Sequence, residues 1–268
     1  MHPDLFSLGP LNIKTYGCFM ALGFLAAWQV AAWLCRRSGR NAESLGNLLL
    51  SLMVSGVLGS RIAYVIEHWR SEFAARPWTV VRIDQGGLMF YGGLILALVV
   101  FIVWCVVRKE KVFQISDLLA VVVPLGHAFG RVGCFFYGCC YGRVSDSALA
   151  VAFPRGSPAW YEQLHAGLLT SAAGSSLPVL PTQLFEAAAV LALFAVLLFF
   201  WRKFWQRCPG LVTGAYFVLY ACIRFGLEYL RGDPRAEVGP LSISQTISVG
   251  LAVFGFSLIG VAFSRRKG

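Results

Sequence analysis

The chain has 268 residues, of which 57% are hydrophobic and 13% charged, with a mean hydropathy of +0.68 and a formal net charge of +10. A water-soluble globule cannot hide that much apolar surface, so the composition points to a polytopic membrane protein. The positive charge falls in short clusters between apolar runs, with no basic groove or aromatic-basic interleaving, which argues against a nucleic-acid partner.

Residues 1–14 lack a basic segment followed by an apolar core, so no cleavable signal peptide is expected there. A bilayer core of about 30 Å needs about 20 helical residues. Seven stretches approach or meet that length: 15–34, 45–66, 88–107, 115–137, 184–201, 211–230 and 243–263. The expected fold is therefore an all-α integral membrane protein of about seven transmembrane helices, a single polytopic domain over residues 1–268.

Basic clusters follow alternate spans: Arg36, Arg37 and Arg40; Arg108, Lys109 and Lys111; Arg202, Lys203 and Arg207; and Arg265, Arg266 and Lys267. The positive-inside rule makes those ends cytoplasmic, so the N-terminus is expected on the periplasmic side and the C-terminus in the cytoplasm. The connections 67–87, 138–183 and 231–242 then face outward. The longest, 138–183, is rich in Pro, Gly and Ser and exceeds ordinary loop length, which reads as a periplasmic cap.

Ionised side chains within apolar spans are costly and mark function by default. Tyr16, near the outer start of the first span, reads as an interfacial anchor or a ligand contact. Arg61 is open to two readings, snorkelling to the interface or binding a headgroup. The run Gly86-Gly87-Leu88-Met89-Phe90-Tyr91-Gly92-Gly93 opens the third span, where paired glycines let backbone approach a ligand or break the helix. Tyr91 is either an interfacial anchor or a hydrogen-bond donor to phosphate.

In the fourth span His127 reads as a packing residue, whereas Arg131 has no acid within one turn and can reach only a distant one such as Glu186. Arg224 and Glu228 share a helical face four residues apart, as a structural ion pair or as part of a site. Arg61, Arg131 and Arg224 all fall in the outer leaflet, and guanidinium forks at that depth suit a phospholipid phosphate.

The eight cysteines mostly lie in apolar runs and do not read as a disulfide framework. Cys134, Cys139 and Cys140 cluster near the end of the fourth span, but without paired CxxC spacing or neighbouring histidines. They fit packing, an outward-facing disulfide or redox control. No P-loop or dinucleotide fingerprint is present, and neither a metal nor a cofactor is expected.

The chain resembles the bacterial prolipoprotein diacylglyceryl transferases over nearly its whole length. The resemblance is carried by Phe6-Ser7-Leu8-Gly9-Pro10 with Tyr16-Gly17, by Gly59-Ser60-Arg61-Ile62, by 86–94, by Phe113-Gln114-Ile115-Ser116-Asp117, and by 130–143, 181–186 and 220–233. It implies an inner-membrane enzyme that moves diacylglyceryl from phosphatidylglycerol to the lipobox cysteine thiol of a preprolipoprotein, releasing glycerol phosphate. The signal peptide and the bilayer are then its partners.

By that resemblance Arg131 and Arg224 are the functional arginines. Glu228 and Tyr91 join them as candidate catalytic residues, and Tyr16, Arg61, Tyr220, Gly92, Gly93 and Gly142 as candidate substrate contacts. The sequence departs from the family pattern where many members read HGG and GNFxNGE: here position 91 is Tyr, 134 is Cys, 137 is Tyr and 139 is Cys. Two other readings stand beside this one, an anionic-lipid flippase or transporter and an inactive homologue that binds lipoprotein precursors. No inverted internal repeat supports the transporter.

Overall fold

In a bilayer every backbone N–H and C=O needs an internal partner, so apolar runs of membrane length must be helical. The computed structural model describes residues 4–8, 11–82, 86–233 and 237–267. Among the described residues, seven helices are long and apolar enough to cross a membrane. They are α1 (Thr15–Arg37), α2 (Ala42–Glu67), α3 (Phe90–Val107), α4 (Val112–Tyr137), α6 (Thr182–Phe204), α7 (Leu211–Glu228) and α8 (Ile243–Lys267), with a short α5 (Pro158–His165) between α4 and α6.

All seven expected spans are present, and most run a few residues past the hydropathic boundary. Polar end residues such as Arg36 and Arg37 in α1, or Arg202 and Lys203 in α6, still complete the helical ladder and carry their charge at the C-terminal end. Two antiparallel hairpins were not anticipated: β1 (Asp4–Leu8) with β2 (Leu11–Lys14) before α1, and β3 (Glu237–Val238) with β4 (Leu241–Ser242) before α8. Strands this short carry too little alternation to read. Gly9 and Pro10 of the first family segment lie outside the described residues.

The chain divides into two units, Ala31–Ile115 and Met1–Val30 with Ser116–Gly268. In the first, α2 and α3 meet backbone to backbone. A Cβ on Gly59 would lie 2.5 Å from the Gly92 carbonyl oxygen, one on Gly92 2.3 Å from Ala63 Cβ, and one on Gly93 2.3 Å from Ser60 Oγ. The paired glycines do not break the helix, since α3 is continuous from Phe90 onward; Gly92 and Gly93 let α2 and α3 pack closely, where dispersion replaces the absent hydrophobic drive.

Arg61 is also explained locally. Its Nε donates to Val80 O (2.8 Å), Nη1 to Gly86 O (2.9 Å) and Gly87 O (3.1 Å), and Nη2 to Thr79 O (2.9 Å) and Arg82 O (3.0 Å). All five guanidinium donors are thereby used on the α2–α3 connection, over the rings of Tyr64 and Phe73. Gly87 fits against this cation with a φ of 74°, where a Cβ would fall 2.7 Å from Arg61 Nη1. Neither snorkelling nor a headgroup contact describes Arg61 in this structure.

In the second unit α7 packs on α8 through Gly214 and Gly255; a Cβ on either would lie 2.8 Å from the other's carbonyl oxygen. The start of α7 lacks a side-chain cap of its own, since Gly210 occupies the N-cap at φ 95°. A fully buried carboxylate from α4 supplies it: Asp117 accepts from Gly210 N (2.8 Å), Thr213 N (2.8 Å) and Thr213 Oγ1 (2.7 Å).

The long connection between α4 and α6 has a core of its own. Tyr141, Phe153, Ala159 and Val179 are buried together with Phe135 of α4 against them, and Val179 bridges both Val144 and Val151. Ser157 caps α5, and Tyr141 Oη donates to Glu162 across it at 2.6 Å. Burial, with the Glu162 carboxylate beside it, holds the Tyr141 phenol above its ordinary range. The segment whose length exceeds an ordinary loop is a folded lobe, because its apolar residues pair across turns rather than along one element.

Candidate active site

A helix places residues i, i+4 and i+7 on one face, and on α4 those positions are His127, Arg131 and Cys134. Arg131 Nη2 lies 3.1 Å from Glu186 Oε1 of α6, and Arg131 Nε donates to His127 Nε2 at 3.1 Å. His127 Nε2 is also 3.3 Å from Glu186 Oε1. His127 is thus more than packing: it and Glu186, 1% exposed, fix the direction of Arg131.

Tyr220 of α7 closes the other side. Its ring meets His127 edge-on at 5.5 Å and stacks on Tyr216 at 5.8 Å. One turn further along α7, Arg224 Nη2 pairs with Glu228 Oε2 at 2.9 Å and donates to Ser244 Oγ of α8 at 2.9 Å. Arg224 Nη1 is buried with no acceptor among the described residues. Arg131 and Arg224 both lie within electrostatic reach of Glu186 and of Tyr220, so the two cations belong to one site.

The pairing has a physical reason. A lone guanidinium buried from water costs several kcal/mol, and a carboxylate beside each one offsets that cost. The vacant N–H of Arg224 is what a charge-bearing ligand would complete, since an unmade hydrogen bond on a buried charge is expensive.

The site lies where α1 starts, α4 ends, α6 starts and α8 starts. Tyr16 opens α1 and packs on Gly133, where a Cβ would come within 3.0 Å of Tyr16 Cδ2; its side chain is 40% exposed. The end of α4 is a Schellman turn: Cys139 N donates to Cys134 O (3.3 Å) and Gly138 N to Phe135 O (3.2 Å). The first turn of α6 then grips the chain beyond it. Thr182 Oγ1 donates to Cys140 O (2.9 Å) and Gln183 Nε2 to Cys139 O (2.7 Å).

Cys134, Cys139 and Cys140 are free, and their Sγ atoms all lie within 4.8 Å of one another. Hydrogen bonds from the Cys134 and Cys139 thiols hold the Cys140 thiol below its ordinary range, and the Arg231 and Arg131 cations act in the same direction; the shared hydrogen bonds push Cys139 up. Arg231 is itself held by a bidentate contact to Asp233, at 2.8 and 2.7 Å.

Gly142 sits at a chain crossing. Its N–H donates to Leu180 O at 2.8 Å, and a Cβ would lie 2.7 Å from Leu230 O. Arg61, Tyr91, Gly92 and Gly93 belong to the other unit; Tyr91 is 55% exposed and its ring meets Phe90 at 5.6 Å. The candidates that the structure brings together are Arg131, Arg224, Glu228, Tyr220 and Tyr16. To them it adds His127, Glu186 and Ser244, and Thr182 with Gln183 behind the cysteine turn. The sequence signal for the α6 residues was present: Thr182, Gln183 and Glu186 are polar positions crowding the first turns of an otherwise apolar helix.

A family model described as prolipoprotein diacylglyceryl transferase matches residues 3–261. The phosphatidylglycerol–prolipoprotein diacylglyceryl transferase of Pseudoalteromonas translucida is 33% identical over 274 residues, covering 98% of this chain and 93% of the relative. That of Mannheimia succiniciproducens is 32% identical over 273 residues, covering 99% and 94%. A protein named phosphatidylglycerol–prolipoprotein diacylglyceryl transferase 2, from Clostridium perfringens, is 30% identical over 251 residues, covering 94% and 91%. Matched along nearly its whole length by both the family model and these relatives, the chain belongs to the prolipoprotein diacylglyceryl transferase family.

Proposed function

We propose that this protein transfers the diacylglyceryl group of phosphatidylglycerol to the lipobox cysteine of a preprolipoprotein, at the periplasmic leaflet of the bacterial inner membrane. The observation that carries the reading is the pair of a half-buried Arg131 and a buried Arg224, each oriented by its own carboxylate, with an unfilled N–H on Arg224. The headgroup phosphate takes that N–H and sits between the two forks. The substrate thiol gives its proton to water and its sulfur attacks the glyceryl carbon; a C–S bond forms, the C–O bond to phosphate breaks, and its electron pair leaves with glycerol phosphate. Two fixed guanidiniums stabilise the charge that gathers on that oxygen, in a site where the bilayer excludes water. Glu228 and Glu186 position the arginines, Tyr220 and Tyr16 line the approach, and the lobe over 138–181 caps it.

The test is transfer by the purified protein from phosphatidylglycerol to a lipobox peptide, read by mass spectrometry. A peptide heavier by one diacylglyceryl is expected. Arg131→Ala and Arg224→Ala should stay in the membrane and lose about a hundredfold or more of the rate. Lipid scrambling with no peptide adduct would instead support a flippase and overturn the transferase reading.

A further inference from the structure

The turn after α4 assembles three sulfurs by two separate devices. A Schellman turn ordinarily brings the side chains three residues before and two residues after its cap into apolar contact. In this chain those two positions are Cys134 and Cys139. The third sulfur joins because Cys140 takes a left-handed φ of 62°, which costs a non-glycine residue about 1 kcal/mol or more.

Consecutive side chains on an extended backbone point apart. The Cys140 conformation gathers the neighbouring Cys139 and Cys140 sulfurs with that of Cys134 instead. Two almost fully buried side chains of α6 hold the strained turn, Thr182 on the Cys140 carbonyl and Gln183 on that of Cys139. Simple packing gives no reason to put a thiol at a strained position that a glycine would fill without cost. Arg131 and Arg231 face the cluster with positive charge.

We infer that Cys134, Cys139 and Cys140 form a zinc site with an open fourth position that takes the sulfur of the protein substrate, an inference that rests on the transferase reading. Zinc–thiolate bonds of about 2.3 Å in a tetrahedron set the sulfurs about 3.8 Å apart, so the triad, with its sulfurs within 4.8 Å of one another, needs to close by no more than about 1 Å. Three thiolates and Zn²⁺ carry one net negative charge, which the two arginines balance. Three protein ligands with one vacancy is the arrangement of a reactive zinc centre rather than a closed structural one.

The substrate thiol gives its proton to water on binding zinc. The metal-bound sulfur then forms the C–S bond as the C–O bond breaks and its electron pair leaves with glycerol phosphate. Zinc keeps its oxidation state throughout. Cys134 lies three residues beyond Arg131 on the same face of α4, which brings the nucleophile beside the phosphate clamp.

The test uses the full chain, purified in detergent under reducing conditions and titrated with Co²⁺ as the spectroscopic probe for zinc. One equivalent should give a sulfur-to-cobalt charge-transfer band that Zn²⁺ abolishes. Cys134→Ser, Cys139→Ser and Cys140→Ser should each weaken the band, and the exposed Cys222→Ser should leave it unchanged. Where a variant fails to fold, the wild type still decides: Zn²⁺ should protect these three thiols, and not Cys222, from N-ethylmaleimide.

A lipobox peptide should shift the cobalt visible bands, and the same peptide with serine for cysteine should not. Chelation should slow transfer about thirtyfold, the factor set by the small thiolate fraction of an unbound thiol at neutral pH, and Zn²⁺ should restore it. No charge-transfer band, equal protection of all thiols, or full transfer by metal-free protein overturns the zinc site and leaves the transferase reading standing. Cobalt bound and peptide sulfur ligated, yet no diacylglyceryl transferred, overturns the transferase reading and leaves the metal site.

Discussion

At the scale of single residues the site depends on charges that are safe only in company. Arg131 stands out in the sequence because an arginine inside an apolar run demands a partner, but the sequence does not select Glu186, on a helix that begins after a long lobe. Removing one member of a buried pair strands the other at a cost of about 3–5 kcal/mol, whereas removing both is far milder. Glu186→Ala should therefore lower the thermal stability of the detergent-solubilised protein sharply. Glu186→Ala combined with Arg131→Met should recover most of it while transfer stays lost; stability of the double variant no better than that of the single one would refute the pairing. Arg224→Lys separates charge from geometry. It keeps a cation for Glu228 and Ser244, both held by Nη2, but has no second terminal nitrogen to replace the unfilled Nη1, so folding should persist and the transfer rate should fall at least tenfold.

At the scale of elements the helices were legible, because length and hydropathy suffice to define a membrane span, while the uses of the glycines were not. Gly56 and Gly59 sit one turn apart on α2 and look alike in sequence. A Cβ on Gly56 meets nothing within 4 Å, whereas one on Gly59 meets the α3 backbone at 2.5 Å. Gly59→Ala should cost about 1–3 kcal/mol and Gly56→Ala almost nothing, by thermal unfolding measured side by side. The connection between these helices hangs on Arg61. With its five donors removed in Arg61→Ala, the carbonyls from Thr79 to Gly87 lose their partner, and limited proteolysis should cut this connection faster than in the wild type. A protease pattern identical to the wild type would return Arg61 to the interface.

For the molecule as a whole, side chains from one span complete the ends of another. Asp117 of α4 caps α7, so Asp117→Ala leaves the buried Gly210 amide and the half-buried Thr213 amide without an acceptor and should destabilise by about 2–4 kcal/mol; Asp117→Asn, which retains one carbonyl oxygen, should lose less. Equal loss in the two variants would argue that the cap is unimportant. The sequence alone determined the seven spans, the positions of the intramembrane arginines, the Arg224–Glu228 pair and the likeness to the transferase family, because hydropathy, a four-residue spacing and ordered motifs are local or collinear properties. Only the tertiary structure decided that Glu186 and His127 orient Arg131, that Arg61, Gly92, Gly93 and Gly142 serve the scaffold, that the long connection folds on its own core, and that three cysteines share one corner. Each of those depends on residues far apart in the chain whose meeting is fixed by packing, and the cysteines meet only because a left-handed turn is clamped from another helix.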